Sequence, residues 1–415
     1  MEKLKKPDES RRNFLAGVVG ASALATLGEA ATLREALAQA PATPAPAATP
    51  GTVTNDAIKA GKVPAMQYHS DRPLTGSVPA HEHDFEFTPT DRVFIRNNLL
   101  TPDLDINAHR LTVRGLVDKE LSFSVAELQK VFPVVTLAGM LECAGAGRTN
   151  FLPRASGTPW GETGGMSCPV WTGVRLKDVL AAAGLKANAA HVAGQGGDPG
   201  AVASAAPVIR SIPMPKAMDE NTLIAWGMNG GPLPKIHGYP LRLVVPGWVG
   251  SASTKWLQAL TVLDAPFKGT YMTGSYIMPK WPVKPGEKMP PDTVSTQAWP
   301  IKSMITSPAP EQVLKGAERI TVRGKAWVGE GSVGRVDISF DEGATWHRAK
   351  LERERDKYAW RTFTYDYLPQ RFGQVTFLAR ATDDRGNAQP ITPYWNPLGY
   401  FWNGLHRVGV MIVPA

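Results

Sequence analysis

The sequence predicts an α+β chain, a domain of short strands and brief helices followed by an all-β domain. Three observations predict it. From about residue 80 to 275, strand-like runs alternate with short helical ones. After residue 301, runs of alternating apolar and polar residues recur between turn residues. Between the two lies a Pro-rich stretch, residues 277–298, that reads as an extended connector.

The elements follow in order. Ser10-Arg11-Arg12-Asn13-Phe14-Leu15 and the small apolar residues 16–27 read as a twin-arginine leader, with cleavage residues at Ala36-Leu37-Ala38. Residues 1–38 are therefore expected to direct the folded protein to the periplasm. The apolar stretch is short and is interrupted by Glu29, so no stable membrane anchor is expected. Residues 39–75 read as a Pro/Ala-rich linker and N-terminal arm, with nothing to bury in residues 41–52.

A first domain is placed at residues 76–290. Within it, residues 110–117 alternate as a strand, residues 175–183 form a helix stopped by Gly184, and residues 241–247 form a strand ending at a Pro-Gly turn. A second domain is placed at residues 291–415, where residues 320–327, 334–340 and 374–380 are strands at sandwich spacing. That spacing points to an immunoglobulin-like β-sandwich without the paired cysteines of antibody domains.

Composition removes several functions. The chain carries 45 Lys and Arg against 37 Asp and Glu, a net charge of +8. Six Lys/Arg and five Asp/Glu fall in residues 1–38, which leaves about +7 on the remainder. No basic block or aromatic-interleaved basic stripe is present, which argues against nucleic acid. A modest positive excess suits an anionic substrate or an acidic partner. Two cysteines cannot build a disulfide scaffold, and the haem-attachment pattern Cys-x-x-Cys-His is missing from the sequence.

One of those cysteines carries the chemistry. Cys143 follows the apolar run 134–140, read as a buried strand, and stands in Cys143-Ala144-Gly145-Ala146-Gly147-Arg148. A thiolate is a soft metal ligand and a nucleophile, and small neighbours let a bulky group reach the backbone. A buried structural cysteine, or a disulfide to Cys168, fits the same spacing. His81-Glu82-His83 resembles a metal pair but reads as solvated surface.

Further motifs accompany Cys143 in order: Phe94-Ile95-Arg96-Asn97-Asn98, Gly157-Thr158-Pro159-Trp160, Trp171-Thr172-Gly173-Val174-Arg175-Leu176, Ser211-Ile212-Pro213, His237-Gly238-Tyr239-Pro240-Leu241-Arg242, Val245-Pro246-Gly247 and Lys255-Trp256. Asp337 to Asp341, Gly343, Trp346, Trp395-Asn396 and His406-Arg407 continue the series. Together they resemble the sulfite oxidase family of molybdenum–molybdopterin enzymes, over essentially everything after the linker. The resemblance implies a mixed α+β molybdopterin-binding domain followed by an immunoglobulin-like domain that often forms a dimer contact.

It also implies roles. Cys143 matches the cysteinyl molybdenum ligand. Arg96 and Arg148 match the arginines that hold an oxyanion substrate, a task for which guanidinium forks are suited. Trp160 matches an aromatic lining the substrate pocket. Tyr276 lies at the spacing of the active-site tyrosine beyond Trp256, with Tyr271 as its competitor. Phe94, Ile95, Arg96, Asn97, Asn98, Asp198, His237, Arg242, Ser253, Thr254 and Lys255 match cofactor-binding positions.

The implied activity is periplasmic oxidation of sulfite to sulfate, with electrons passing to a c-type cytochrome and with a homodimer or a cytochrome-subunit complex as the assembly. Three departures bear on the substrate: Asn98 stands where many members have His, Ala146 where an Asn follows Cys-Ala-Gly, and Leu398 where animal members carry a third substrate arginine. They keep open a sulfane dehydrogenase subunit of a thiosulfate-oxidising complex. A methionine-sulfoxide reductase of the same superfamily usually lacks the sandwich. A secreted binding protein with a vestigial cofactor domain is the reading from another class.

Overall fold

The computed structural model describes residues 51–202, 204–316 and 318–414, all within one unit spanning Thr43–Ala415. The twin-arginine leader and the linker up to residue 50 lie outside the described residues.

The N-terminal arm, from residue 51 onward, is part of the fold. Gly51–Thr52 pairs antiparallel with Pro102–Asp103. The helix Asn55–Lys59 starts at Thr54, whose side chain accepts from the Ala57 amide at 3.3 Å. Gln67–Asp71 and Leu74–Ser77 form a hairpin, and Leu74–Ser77 continues onto Ile95–Arg96 with Thr75 opposite Arg96. Ile58, Leu74, Ile95 and Ile236 close a small apolar core beneath these strands. The backbone of the Arg96 motif is thus set by the arm.

Two five-stranded sheets build the rest of the first half. One runs from Gly231–Pro232 through Leu223–Met228 and Val170–Arg175 to Val134–Ala138, with Arg242–Val244 also on Leu223–Met228. The other orders Ile209–Pro213, His191–Gly196, Leu257–Leu263, Leu111–Gly115 and Leu121–Phe123; its parallel pairing joins Leu257–Leu263 to Leu111–Gly115. The expected helix is Leu176–Ala183, ending at Gly184 with φ +70°. Strand Val134–Ala138 is buried only at its end: Val134 is 53% exposed, whereas Leu137 and Ala138 are buried. The Pro-rich stretch is not a simple connector, because Ile277–Pro279 turns back to pair with Thr293–Ser295.

The second half is a two-sheet sandwich. One sheet orders Lys302–Ser307, Ile320–Trp327, Arg361–Tyr367 and Lys350–Leu351. The other orders Val313–Lys315, His406–Val413, Gly373–Asp383, Val333–Ser339 and His347–Arg348. Period-two alternation turns Val322 and Phe363 of one sheet, and Val336, Ile338, Phe377 and Val410 of the other, into one shared core. The chain is strand-rich, and no helix among the described residues is long and apolar enough to cross a membrane.

The halves are locked together beside Cys143. The Glu142 carboxylate accepts from Lys302 Nζ at 2.9 Å and from Trp327 Nε1 at 2.7 Å, all three side chains being buried. The Met140 amide donates to the Tyr358 carbonyl at 2.9 Å, and the Phe401 amide donates to the Ala144 carbonyl at 2.8 Å. His83 departs from the solvated surface expected for it. Its ring is fully buried edge-on to Trp360, and burial pushes its pKa down to about 3. Glu82 pairs with Arg92 at 3.0 Å.

Removing Lys302 strands the Glu142 carboxylate in the interior. Lys302→Met is expected to cost about 3–5 kcal/mol, read as a clear drop in Tm by calorimetry. Adding Glu142→Gln to that variant should recover most of the loss, since an amide needs no cation.

Candidate active site

A cavity of about 740 Å³, its open mouth included, collects most of the predicted residues. Phe94, Arg96, Asn97 and Asn98 reach it from the segment the arm supports, and Cys143 from the clamped loop. His237, Arg242, Ser253, Thr254 and Lys255 reach it from the following sheet and turn, and Asp198 and Tyr276 complete it. Cys143 is a half-buried free thiol; Cys168 is a free thiol, fully buried, whose pKa burial raises to about 12. The alternative of a disulfide between them is not what the structure shows.

Three predicted residues sit behind the wall. Ile95 is a core residue, packed with Ile58, Leu74 and Ile236. Trp160 is wholly buried, edge-on to Phe94 at 6.3 Å and to His69 at 4.8 Å between ring centroids. Arg148 is buried too, donating from Nε to the Leu398 carbonyl at 2.9 Å and from Nη1 to the Thr158 carbonyl at 3.3 Å. Its guanidinium fills a sheath with no room for side chains. A Cβ at Gly145 would lie 2.6 Å from Arg148 Nη2, and one at Gly157 (φ +121°) would overlap Nη1.

Beyond Arg148 the aromatic side chains form a stack. The Arg148 guanidinium lies 5.2 Å from the Tyr400 ring centroid, and Tyr400 stacks on Tyr276 at 5.9 Å and 9°. Arg210 closes the far side of Tyr276 at 5.1 Å. The Tyr276 hydroxyl meets Asn98 Nδ2 at 3.1 Å, while Tyr276 itself holds φ +55°. Tyr271 lies 6.3 Å from the Tyr276 ring and does not line the cavity.

The cavity is electropositive and undersupplied with acceptors. Lys255 is half-buried, donates to the Arg96 carbonyl at 3.3 Å, the Ile236 carbonyl at 3.1 Å and Asn97 Oδ1, and is held well below the usual lysine pKa by burial and then by Arg242. Burial lowers Arg242 to about 9, and its Nε, like the Ser251 hydroxyl, has no partner. His237 is pushed well below the ordinary imidazole range by burial and by Lys62. Asp198 is the carboxylate lining the cavity, and burial raises it to about 6. Buried cations and an orphaned guanidinium nitrogen around a void mark a site for an anion.

Sequence reasoning missed four contributors: Lys62, Ser251, Arg210 and Tyr400. Arg210 immediately precedes the Ser211-Ile212-Pro213 motif, and Ser251 precedes Ser253, so adjacency could have found those two. Lys62 and Tyr400 carry no local signal.

Comparison with known proteins gives this arrangement a class. Residues 98–271 match the oxidoreductase molybdopterin binding domain, and residues 293–413 the Mo-co oxidoreductase dimerisation domain. The chain is a molybdopterin-binding oxidoreductase with a dimerisation domain attached. It is 37% identical over 373 residues to mitochondrial sulfite oxidase of Rattus norvegicus, covering 85% of this chain and 66% of that protein. It is 32% identical over 365 residues to sulfite oxidase of Gallus gallus, covering 83% of this chain and 77% of that one. A crystal structure of the sulfane dehydrogenase SoxCD from Paracoccus pantotrophus superposes with a TM-score of 0.72 at 29% identity, covering 88% of this chain and 92% of the other. The protein belongs to the sulfite oxidase family, and its cofactor is molybdenum–molybdopterin.

The residues present fit that group. The orphaned Arg242 Nε and Ser251 hydroxyl, with Lys255 and His237, suit the phosphate of the pterin. No group of three His, Cys, Asp or Glu among the described residues could hold a metal ion by itself. A single thiolate, Cys143, beside a cofactor that brings its own sulfur donors is consistent with that.

The two thiols are expected to differ in reactivity. In protein produced without cofactor, Cys143 should be alkylated by iodoacetamide while Cys168 stays unmodified until unfolding, as mapped by mass spectrometry. Equal labelling of both in the folded protein would contradict the burial described.

Proposed function

We propose that this protein oxidises sulfite, or a closely related sulfur oxyanion, to sulfate, and that a c-type cytochrome takes the electrons. The observation that carries the reading is the Arg96 guanidinium on the cavity that Cys143 lines, with the buried Arg148 behind the Cys143 loop and Tyr276 at the cavity wall. The overall change is sulfite plus water giving sulfate, two protons and two electrons. Bound molybdenum–molybdopterin supplies the two-electron redox chemistry.

The chain's own side chains supply binding and order. Arg96 places a fixed positive charge on the cavity, where it attracts the oxyanion and opposes its escape before reaction. Arg148, held by two carbonyls and a glycine sheath, adds positive potential from behind the wall and cannot swing toward solvent. Tyr276, tied to Asn98, holds a hydroxyl at the cavity for a hydrogen bond. Phe94, and Trp160 behind it, keep that side of the Cys143 loop dry.

A specific observation favours a second reading, oxidation of sulfane sulfur carried on a protein. Leu398 is half-buried and offers its carbonyl to Arg148, so no cation stands at that position. A site with fewer cations is less committed to a free dianion, and the SoxCD neighbour bears the name of a sulfane dehydrogenase. The reading as a homodimer or a cytochrome-subunit complex draws on the same neighbour and on the dimerisation domain.

Purified holoenzyme, assayed for molybdenum, should reduce cytochrome c in the presence of sulfite. Arg148→Gln is expected to lower kcat/KM for sulfite roughly a hundredfold or more, with molybdenum content unchanged. Cys143→Ser should lose nearly all turnover. Unchanged kinetics in the arginine variant would remove Arg148 from the site. Full molybdenum loading without sulfite turnover would shift the assignment to the sulfane substrate.

The periplasm is proposed as the site of action, from the twin-arginine signature. Replacing Arg11 and Arg12 by Lys should leave folded, cofactor-loaded enzyme in the cytoplasm, as measured by fractionation. Normal periplasmic activity in cells without the twin-arginine translocase contradicts this.

A further inference from the structure

We propose that Lys62, on the N-terminal arm, fixes the tautomer of His237 and so helps retain the cofactor. It acts as a positioning residue that works through His237. The proposal rests on the molybdopterin cofactor and is independent of which sulfur substrate is used.

The Lys62 ammonium sits among three acceptors. Its Nζ lies 3.0 Å from the Thr90 carbonyl, 2.9 Å from the Val93 carbonyl and 2.8 Å from His237 Nε2. An ammonium has three N–H groups and no lone pair, so these contacts use its whole donor capacity. A neutral amine would instead donate to the two carbonyls and accept from a protonated Nε2, so the tautomer follows the charge on Lys62. With Lys62 charged, His237 Nε2 is the acceptor in this bond and the ring proton sits on Nδ1. His237 lines the cavity, and the nitrogen left for a ligand is then a donor. A donor suits an anionic oxygen, whereas the other tautomer would offer that oxygen a lone pair.

The fold delivers Lys62 to this place deliberately. Ile58, one turn before it, packs with Ile236, the neighbour of His237, and with Ile95, the neighbour of Arg96. The Val63 amide donates to the Asp91 carbonyl, so the chain on the far side of Lys62 is also tied down. Ile58, Lys62, Val63, Asp91 and Ile95 all lie outside residues 98–271, the span shared with the molybdopterin-binding domain family. The charges facing the pair are Asp91 near Lys62, and Lys255 and Arg242 near His237. Burial pulls Lys62 down to about 7, a direction that an anion in the cavity opposes.

Two measurements test this. Holoenzyme carrying Lys62→Met should release cofactor roughly tenfold faster or more than wild type, followed as protein-bound molybdenum and as free pterin fluorescence. Lys62→Arg, which keeps a cationic donor, should recover part of the retention. In a His237→Gln background, Lys62→Met should add little, because its route runs through the imidazole. A wild-type release rate in Lys62→Met overturns the proposal, and so does an equal acceleration with and without His237.

The second measurement does not require any Lys62 variant to fold. Nitrogen NMR of ¹⁵N-histidine-labelled wild-type protein made without cofactor, with the His237 signal assigned by its loss in His237→Gln, should show the proton on Nδ1. A proton on Nε2 overturns the proposal. Preparations of wild type that never acquire molybdenum would count against the cofactor reading instead.

Discussion

Glu142 is the carboxylate on which the site's geometry depends. It is adjacent to Cys143 in the chain, and its own partners, Lys302 and Trp327, come from the sandwich. An unpaired carboxylate at this depth costs several kcal/mol, so the loop and the sandwich cannot separate without exposing or stranding it. The backbone bonds from Met140 to Tyr358 and from Phe401 to Ala144 clamp the same loop on either side. The thiol at its centre is therefore held by long-range contacts, and the loop's small residues need supply only clearance. Family matching names the second half a dimerisation domain. Within this chain, that half also braces the Cys143 loop from behind the cavity wall.

The same arrangement governs the arginines. Arg148 Nε donates to the carbonyl of Leu398, and its face lies over Tyr400, both from the second half. Burial pushes the Tyr400 phenol up to about 12, so it remains neutral beside the guanidinium and the attraction is to its ring. On the other side of the tyrosine pair, Arg210 bonds the Tyr271 carbonyl at 2.7 Å, Ser295 Oγ at 3.0 Å and the Thr296 carbonyl at 2.9 Å. Those contacts tie the end of the second hairpin strand, Thr293–Ser295, to the helical turn that carries Tyr271. The left-handed backbone of Tyr276 persists because its surroundings over-determine it.

Much of this was legible locally, and the rest was not, for a physical reason. Gly184 announced the end of a helix because a left-handed cap has a residue preference. The sandwich strands were legible because period-two alternation is written into each strand separately. The Arg96 and His237 motifs were recognisable as ordered pieces of a family. How the arm packs was not legible, because Ile58 and Leu74 are isolated apolar residues in a polar stretch, and their partners, Ile95 and Ile236, are remote in sequence. The hairpin in residues 277–298 was hidden by its prolines, of which Pro279 lies in a pairing strand and the rest between the two strands. Trp160 looked like a pocket residue from its motif, yet its place behind Phe94 is a matter of packing that no spacing reveals.

Electrostatics then explains why the cavity belongs to a cofactor that binds as an anion. Without one, Lys255, Arg242 and His237 stand close together with Asp198 as the carboxylate in the cavity wall, and burial depresses the basicity of all three. Such a cluster opposes folding unless a ligand's negative charge enters it. A phosphate does so, and any group that binds the native state but not the unfolded one adds to native stability. The fold thus carries a destabilising charge cluster that the cofactor relieves. Cofactor retention and fold stability would thus be linked at His237, Arg242 and Lys255, while Arg96 and Tyr276 line the same cavity and Arg148 stands behind its wall.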